Sequence, residues 1–317
     1  MKQGFVKVAS ATPRIRVADP VYNAQVICEQ AKEAAEHGAK IVVFPELCIT
    51  GYTCNDLFLQ ELLLEKAKEA LLTIAEETGQ LETLFLVGLP VDKDGRLYNV
   101  AAVLYRGRIL GMIPKKNIPM YAEFYEGRHF TPGEETVTEY RLGKQVIPFG
   151  SNLLFRCEEL PELILGCELC EDLWVAEPPS TSHALMGATV IANLSASNET
   201  VSKDDYRTLL VKASSARLLC GYIYTSAGEG ESTQDLVFGG HDLIAENGTL
   251  LAQSARFTTG ILYTDLDVLK ISSERRRMGT FGKRPMKPYL TVPFSMQLTG
   301  TNWTGSSLHT RLYRRTW

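Results

Sequence analysis

The stretch Leu163-Ile164-Leu165-Gly166-Cys167-Glu168-Leu169-Cys170-Glu171-Asp172-Leu173-Trp174 reads as a buried strand running directly into an acidic turn. Strand alternation puts Cys167 and Leu169 on one face and Glu168 on the other, and the run ends at Cys170. In α/β proteins a strand end holds its side chain in place while the loop leaves it accessible, so nucleophiles are displayed there. Cys170 is the leading nucleophile candidate. Two other readings stay open at this level: an inert core cysteine, and a Cys-x-x-Cys redox or metal pair with Cys167.

Outward from this strand, the flanking sequence alternates strand and helix. Ser180–Gly187 reads as a helix, Thr189–Leu194 as a strand, Asp204–Leu219 as a helix and Tyr222–Thr225 as a strand. Asp242–Glu246 and Thr249–Gln253 then pair across Asn247-Gly248, a strong hairpin signal. The first half has the same order. Val6–Ala9, Ile41–Phe44 and Leu84–Leu89 are strands separated by helices over Val21–His37 and Leu57–Glu77, followed by a hairpin through Arg106-Gly107. Two such halves predict two sheets packed face to face with helices outside.

The 317 residues are 45% hydrophobic and 22% charged, enough apolar surface for a substantial core and unlike a disordered chain. The longest apolar runs fall far short of the roughly 20 residues that span a bilayer, so no membrane role is expected. Lys7 would fall inside the apolar core of any secretory signal, and the seven cysteines form no even framework; both features predict a cytoplasmic protein with reduced thiols. Net charge is −4, unevenly placed. From residue 271 onward the chain carries +8, against −12 for the remainder. Residues 1–270 are therefore expected to form the domain and 271–317 a basic extension. That extension, around Arg275, Arg276 and Arg277, should dock on acidic surface of its own chain or of a sister subunit, which predicts a homo-oligomer. No aromatic-interleaved basic groove suggests nucleic acid.

A thiol with a reference pKa of about 8.5 needs a base or a cation beside it to attack at neutral pH. His129 and His241 lie in loops that could reach a cleft, but an ordinary structural role is the commoner fate of such residues. Other strand ends offer better groups. Ile41–Phe44 is followed by Pro45-Glu46-Leu47, where apolar walls would raise a carboxyl pKa and make a general base. Arg108–Ile113 is followed by Pro114-Lys115-Lys116, a cation for a thiolate or an oxyanion, one of the two lysines being simply solvated.

Glu, Lys and Cys each ending a buried strand, in that chain order, resemble the nitrilase (carbon-nitrogen hydrolase) superfamily. The blocks Phe44-Pro45-Glu46-Leu47 with Gly51-Tyr52, Pro119-Met120-Tyr121-Ala122-Glu123-Phe124-Tyr125-Glu126, Glu168 to Trp174, Asn193 to Ser197 and Ala227 to Thr233 resemble the glutaminase half of glutamine-dependent NAD synthetases, from residue 4 to about 285. The resemblance implies a nitrilase-like α-β-β-α sandwich with Glu46 as base, Lys115 as oxyanion-stabilising cation, Cys170 as nucleophile and Glu126 as a second carboxylate. It implies that Tyr121, Phe124, Glu171, Ser197 and Lys203 hold glutamine, Lys203 standing where many relatives have arginine. It also implies no metal and no cofactor for amide hydrolysis. ATP and magnesium belong to a synthetase domain or subunit, whose Ser-Gly-Gly-x-Asp-Ser loop does not occur in these residues. Two rival functions remain: an amidase acting on another small amide, and a non-catalytic assembly module.

Overall fold

Near-continuous apolar strands must be covered on both faces, which requires helices outside and a second sheet inside. In the computed structural model, which describes residues 4–282 and 288–297, the first half contributes β1 (Phe5–Thr12), α1 (Pro20–Glu36), β2 (Ile41–Val43), α2 (Glu61–Glu77), β3 (Leu84–Lys93), β4 (Arg96–Tyr105), β5 (Arg108–Pro114), β6 (Thr138–Leu142) and β7 (Gln145–Phe149). The second contributes β8 (Leu153–Cys157), β9 (Ile164–Leu169), α3 (Pro179–Leu185), β10 (Val190–Ser195), α4 (Lys203–Leu218), β11 (Gly221–Ser226), β12 (Leu243–Glu246), β13 (Thr249–Gln253), β14 (Gly260–Asp267), α5 (Val268–Arg277) and β15 (Leu290–Phe294).

One sheet runs β14-β1-β2-β3-β4-β5-β7-β6 and the other β13-β12-β11-β10-β9-β8-β15. Their inner faces interdigitate through Val8, Val43, Leu86 and Val103 from the first and Leu165, Leu169, Ala192 and Ile223 from the second. On the outer faces, Ile27, Ala31, Leu71 and Ile74 of α1 and α2 pack on Val42, Phe85 and Val87. Ala184, Val211 and Leu218 of α3 and α4 pack on Ile191, Tyr222 and Tyr224. The result is the expected α-β-β-α sandwich. Its strands β1–β2–β3 and β9–β10–β11 are parallel, so their C-terminal ends are gathered at one edge of each sheet.

Several elements differ from the sequence reading. The second helix starts at Glu61, after a separate 3-10 turn at Asn55–Leu59, because Gln60 is extended. Strands β6, β7 and β8 were not expected, since Gly143, Pro148 and Gly150 break the periodicity that would reveal them. Glu168 faces away from Cys167 as alternation requires, yet it is buried, because α3 covers that face.

The boundary expected at residue 270 falls inside α5, whose Ile271 is fully buried, and β15 adds a parallel edge strand beside β8. Arg275 does not sit on acidic surface. Its guanidinium donates to the carbonyls of Leu218, Leu219, Gly187 and Ala188, where the chain leaves α4 and α3. The cation thus meets the carbonyl end of α4 and the loop carbonyls that follow α3, short-range partners that a count of charges does not reveal. Lys283, Arg284, Lys287, Arg311, Arg314 and Arg315 lie outside the described residues. Among the described residues no helix is long and apolar enough to cross a membrane.

Candidate active site

Three strand ends converge where the two sheets meet. Glu46 follows β2 in a turn that leaves Leu47 at φ +52°, and the turn lies against Gly88 of β3. A Cβ at Gly88 would stand 2.3 Å from the Leu47 nitrogen, so only glycine admits the turn that aims Glu46. Lys115 follows β5, with its N–H donating to the Asn99 carbonyl at 2.8 Å. Cys170 follows β9 at φ +38°, a conformation that a non-glycine residue adopts only when its surroundings hold it there.

Lys115 is fully buried and bridges two carboxylates, Glu46 Oε1 at 2.7 Å and Glu126 Oε1 at 2.6 Å. The remaining acceptor capacity is nearly filled. Asn99 Nδ2 donates to Glu46 Oε1 at 2.7 Å and to Glu126 Oε2 at 3.3 Å, Tyr52 Oη donates to Glu126 Oε1 at 2.8 Å, and the Ala196 N–H donates to Glu46 Oε2 at 2.9 Å. Cys170 lies close enough to Glu46, Lys115 and Glu126 for their charges to act on its thiol.

Burial raises the Glu46 pKa; the Lys115 charge opposes the rise and the Glu126 charge adds to it. Burial likewise pushes the Cys170 thiol up to about 12, reinforced by Glu46 and opposed by Lys115. For Lys115, burial alone would lower the pKa, but Glu126 and Glu46 outweigh it and hold the amine charged. The site therefore sets a thiol, a carboxylate and a fixed cation side by side, the chemical set that proton transfer from an attacking thiol requires.

Of the other residues expected at the site, Tyr121, Glu171 and Lys203 reach solvent and make an open mouth beside the Cys170 turn, while Phe124 and Ser197 are buried. Tyr121 is half-exposed and donates to both oxygens of Glu171 at 2.9 and 3.0 Å. Its ring meets Phe124 edge-on at 5.8 Å. Lys203 holds its ammonium over the Phe124 ring at 5.4 Å and the Trp174 ring at 5.2 Å, and donates to Asn198 Oδ1. Ser197 is buried, and the guanidinium of Arg207 donates to its Oγ at 3.4 Å. Lys116 points elsewhere, pairing with Glu135 at 2.6 Å. His129 pairs with Asp56, and His241 with Arg207 and Gln253, so these two histidines are engaged away from the thiol. Cys167 lies in the core between the sheets.

Several residues that sequence reasoning did not single out complete the arrangement. Asn99 and Tyr52 hold the two carboxylates. Asp172 accepts from the Leu169 N–H at 3.0 Å and from the Asn117 N–H and Nδ2 at 2.8 and 2.7 Å, which ties the Lys115 loop to the Cys170 turn. Arg207, fully buried, binds Glu199 at 2.8 Å and backs Ser197. Of these, Tyr52 and Asp172 stand in the motif blocks quoted above; Asn99 and Arg207 carry no local signal.

Comparison with known proteins agrees with this geometry. Residues 7–276 match the carbon-nitrogen hydrolase family. The chain is 44% identical over 282 residues to the glutamine-dependent NAD(+) synthetase of Mycobacterium tuberculosis strain H37Rv, covering 88% of this chain and 42% of that protein. It thus spans less than half the length of this curated relative. Among solved structures, the glutamine-dependent NAD(+) synthetase of Cytophaga hutchinsonii superposes with a TM-score of 0.75 at 28% identity, over 83% of this chain and 43% of that one. An amidase from Nesterenkonia sp. superposes with a TM-score of 0.66 at 21% identity over 88% of this chain and 96% of that one, which supports the fold. With the fold, the strand-end residues and a family match over most of its length in agreement, the chain belongs to the carbon-nitrogen hydrolase family.

Proposed function

We propose that this chain hydrolyses the side-chain amide of glutamine to glutamate and ammonia, and that the ammonia serves NAD synthesis. The observation that carries the reading is the buried Lys115 clamped between Glu46 and Glu126 beside the Cys170 thiol, in a chain whose close relatives are glutamine-dependent NAD synthetases. In this reading Glu46 takes the Cys170 proton as Sγ attacks the amide carbon, and Lys115 with the Glu171 N–H stabilises the oxyanion. The Cys170 N–H is not available for that task, since it donates to Asn193 Oδ1 at 3.2 Å. Glu46 returns the proton to the leaving nitrogen, ammonia departs, and a thioester remains on Cys170. Glu46 then activates water, which releases glutamate and regenerates the thiol. Glu126 keeps Lys115 in place, so that the Lys115 charge is shared between two carboxylates, which Asn99 also bridges.

The mouth fits an amino acid. Lys203 supplies a cation for a carboxylate, as a point charge and not a bidentate fork, and Glu171 offers an anion for an ammonium. The reaction so described needs no metal or cofactor; ATP and magnesium would act at a synthetase module, fused or separate. Brief incubation with a glutamine-analogue electrophile followed by peptide mass spectrometry tests the site and the substrate together. A single adduct on Cys170, with ammonia release from glutamine exceeding that from a panel of other small amides, supports the reading. Preferred turnover of another amide replaces glutamine as substrate, and no adduct with no release from any amide leaves the assembly-module reading.

A further inference from the structure

The parallel ladder between β9 and β10 stops at Leu169 opposite Leu194, one residue before Cys170. From that point no strand partner holds the Cys170 peptide, although its φ of +38° costs energy. A side chain takes over. Asn193 Oδ1 accepts from the Cys170 N–H at 3.2 Å and from Ser195 Oγ at 2.7 Å. Two donors on that atom settle the orientation of the amide, so Nδ2 faces the other way and donates to Tyr222 Oη at 3.2 Å. Tyr222 in turn donates its own proton to Glu168 Oε1, and Glu168 Oε2 accepts from the Ser180 N–H at 2.7 Å. Asn193, Tyr222 and Glu168 are each no more than 1% exposed. With Glu168 ionised, every link has one permitted direction. The carboxylate can only accept from Tyr222, Tyr222 then has a lone pair for Asn193 Nδ2, and an Asn193 flipped by half a turn would set a donor against the Cys170 N–H.

We propose that the buried chain Glu168–Tyr222–Asn193 is a positioning device for the nucleophile, locking the Cys170 peptide in the left-handed turn that aims its thiol at Glu46 and Lys115. These are positioning residues: they act through the Cys170 backbone from the far face of β9 and β10. The proposal rests on the reading of Cys170 as nucleophile, and its consequence is kinetic. Misplacement of an attacking atom by about 1 Å costs up to roughly 10²-fold in rate, while substrate held at the mouth by other groups is bound as before.

The test compares the unaltered chain with Tyr222→Phe, Asn193→Leu and the double variant. Two readouts are followed: the rate of Cys170 alkylation by iodoacetamide, located by peptide mass spectrometry, and kcat and KM for glutamine. Tyr222→Phe should slow alkylation about tenfold and lower kcat in parallel at unchanged KM. The double variant should be no slower than Asn193→Leu alone, because both changes cut one chain. Alkylation at the parent rate in Tyr222→Phe, or losses that multiply in the double variant, would overturn the proposal. If Tyr222→Phe does not fold, as judged by near-ultraviolet circular dichroism, Asn193→Ser shortens the acceptor without adding bulk and carries the same two outcomes. The alkylation readout is independent of turnover. A parent chain that alkylates rapidly at Cys170 but releases no ammonia from glutamine refutes the proposed reaction and still decides the positioning role.

Discussion

Two buried acid clusters flank the Cys170 turn, and they are stabilised in opposite ways. Around Glu46 and Glu126 the negative charge is met by a full positive charge on Lys115. Around Glu168 it is met, among the described residues, by neutral donors, the Tyr222 hydroxyl and the Ser180 N–H. Both carboxyl groups have pKa values raised chiefly by burial, Glu168 to about 7. The difference is in what each can do. A cation beside a carboxylate lets proton transfer and oxyanion stabilisation occur together, whereas neutral donors fix direction and orientation without supplying charge. In the proposed reaction, chemistry falls to the first cluster and alignment to the second.

The comparison breaks most visibly at the thiol. Cys170→Ala should abolish glutamine hydrolysis with the fold retained, while Cys167→Ala, in the core between the sheets, should keep most activity; an ammonia-release assay with a thermal melt distinguishes them. Equal loss in both would return weight to the Cys-x-x-Cys reading. Next, Glu46→Gln keeps shape but removes the base, and turnover should fall at least about 10²-fold in single-turnover assays. Near-normal turnover would remove Glu46 from the proton path.

Stability sharpens the contrast. Lys115→Met leaves two carboxylates buried and uncompensated, and denaturant unfolding should show a loss of about 3–5 kcal/mol. Glu168→Gln removes an acid that has no cationic partner and should cost clearly less; a larger loss there would mean that the neutral cluster carries more of the fold than its hydrogen bonds suggest. At the mouth, Lys203→Ala should raise KM for glutamine more than it lowers kcat, because in the proposed reaction the lysine binds substrate and does not react. A pure kcat effect would move Lys203 out of substrate binding.

The smallest expected effect is a pH slope. Glu168 titrates near 4.5 when unfolded and near 7 when folded, so between those values the native state binds more protons than the unfolded state. Its contribution to stability is complete below about pH 4.5 and is lost as pH rises through about 7. Glu168→Gln should flatten the fall in stability across that window, measured as the difference between parent and variant unfolding free energies at pH 5 and pH 7.5. An unchanged slope would show that Glu168 is not perturbed by burial.

Much of this molecule was legible in its residues. The apolar runs at Ile41, Leu84, Leu163, Thr189 and Tyr222, with the helices between them, specify parallel strands that must bury both faces, and the two-sheet sandwich follows. The three strand-end motifs carrying Glu46, Lys115 and Cys170 were also readable, because a strand that stops at a charged or nucleophilic residue announces a cleft. Tertiary structure alone decided what surrounds them. Alternation assigns Glu168 to the face opposite Cys167, but only the packing of α3 over that face makes it buried. The network in which Lys115 binds Glu46 and Glu126, and Asn99 and Tyr52 bind those carboxylates, joins residues from separate strands and loops. Arg275 similarly meets the carbonyl end of α4 and the loop after α3 in place of the acidic surface that charge counting suggests. Period and composition specify which face a side chain takes. They do not specify what covers that face, since burial and hydrogen-bond partners are set by elements distant in sequence, and those are what give a carboxylate or a thiol its chemistry.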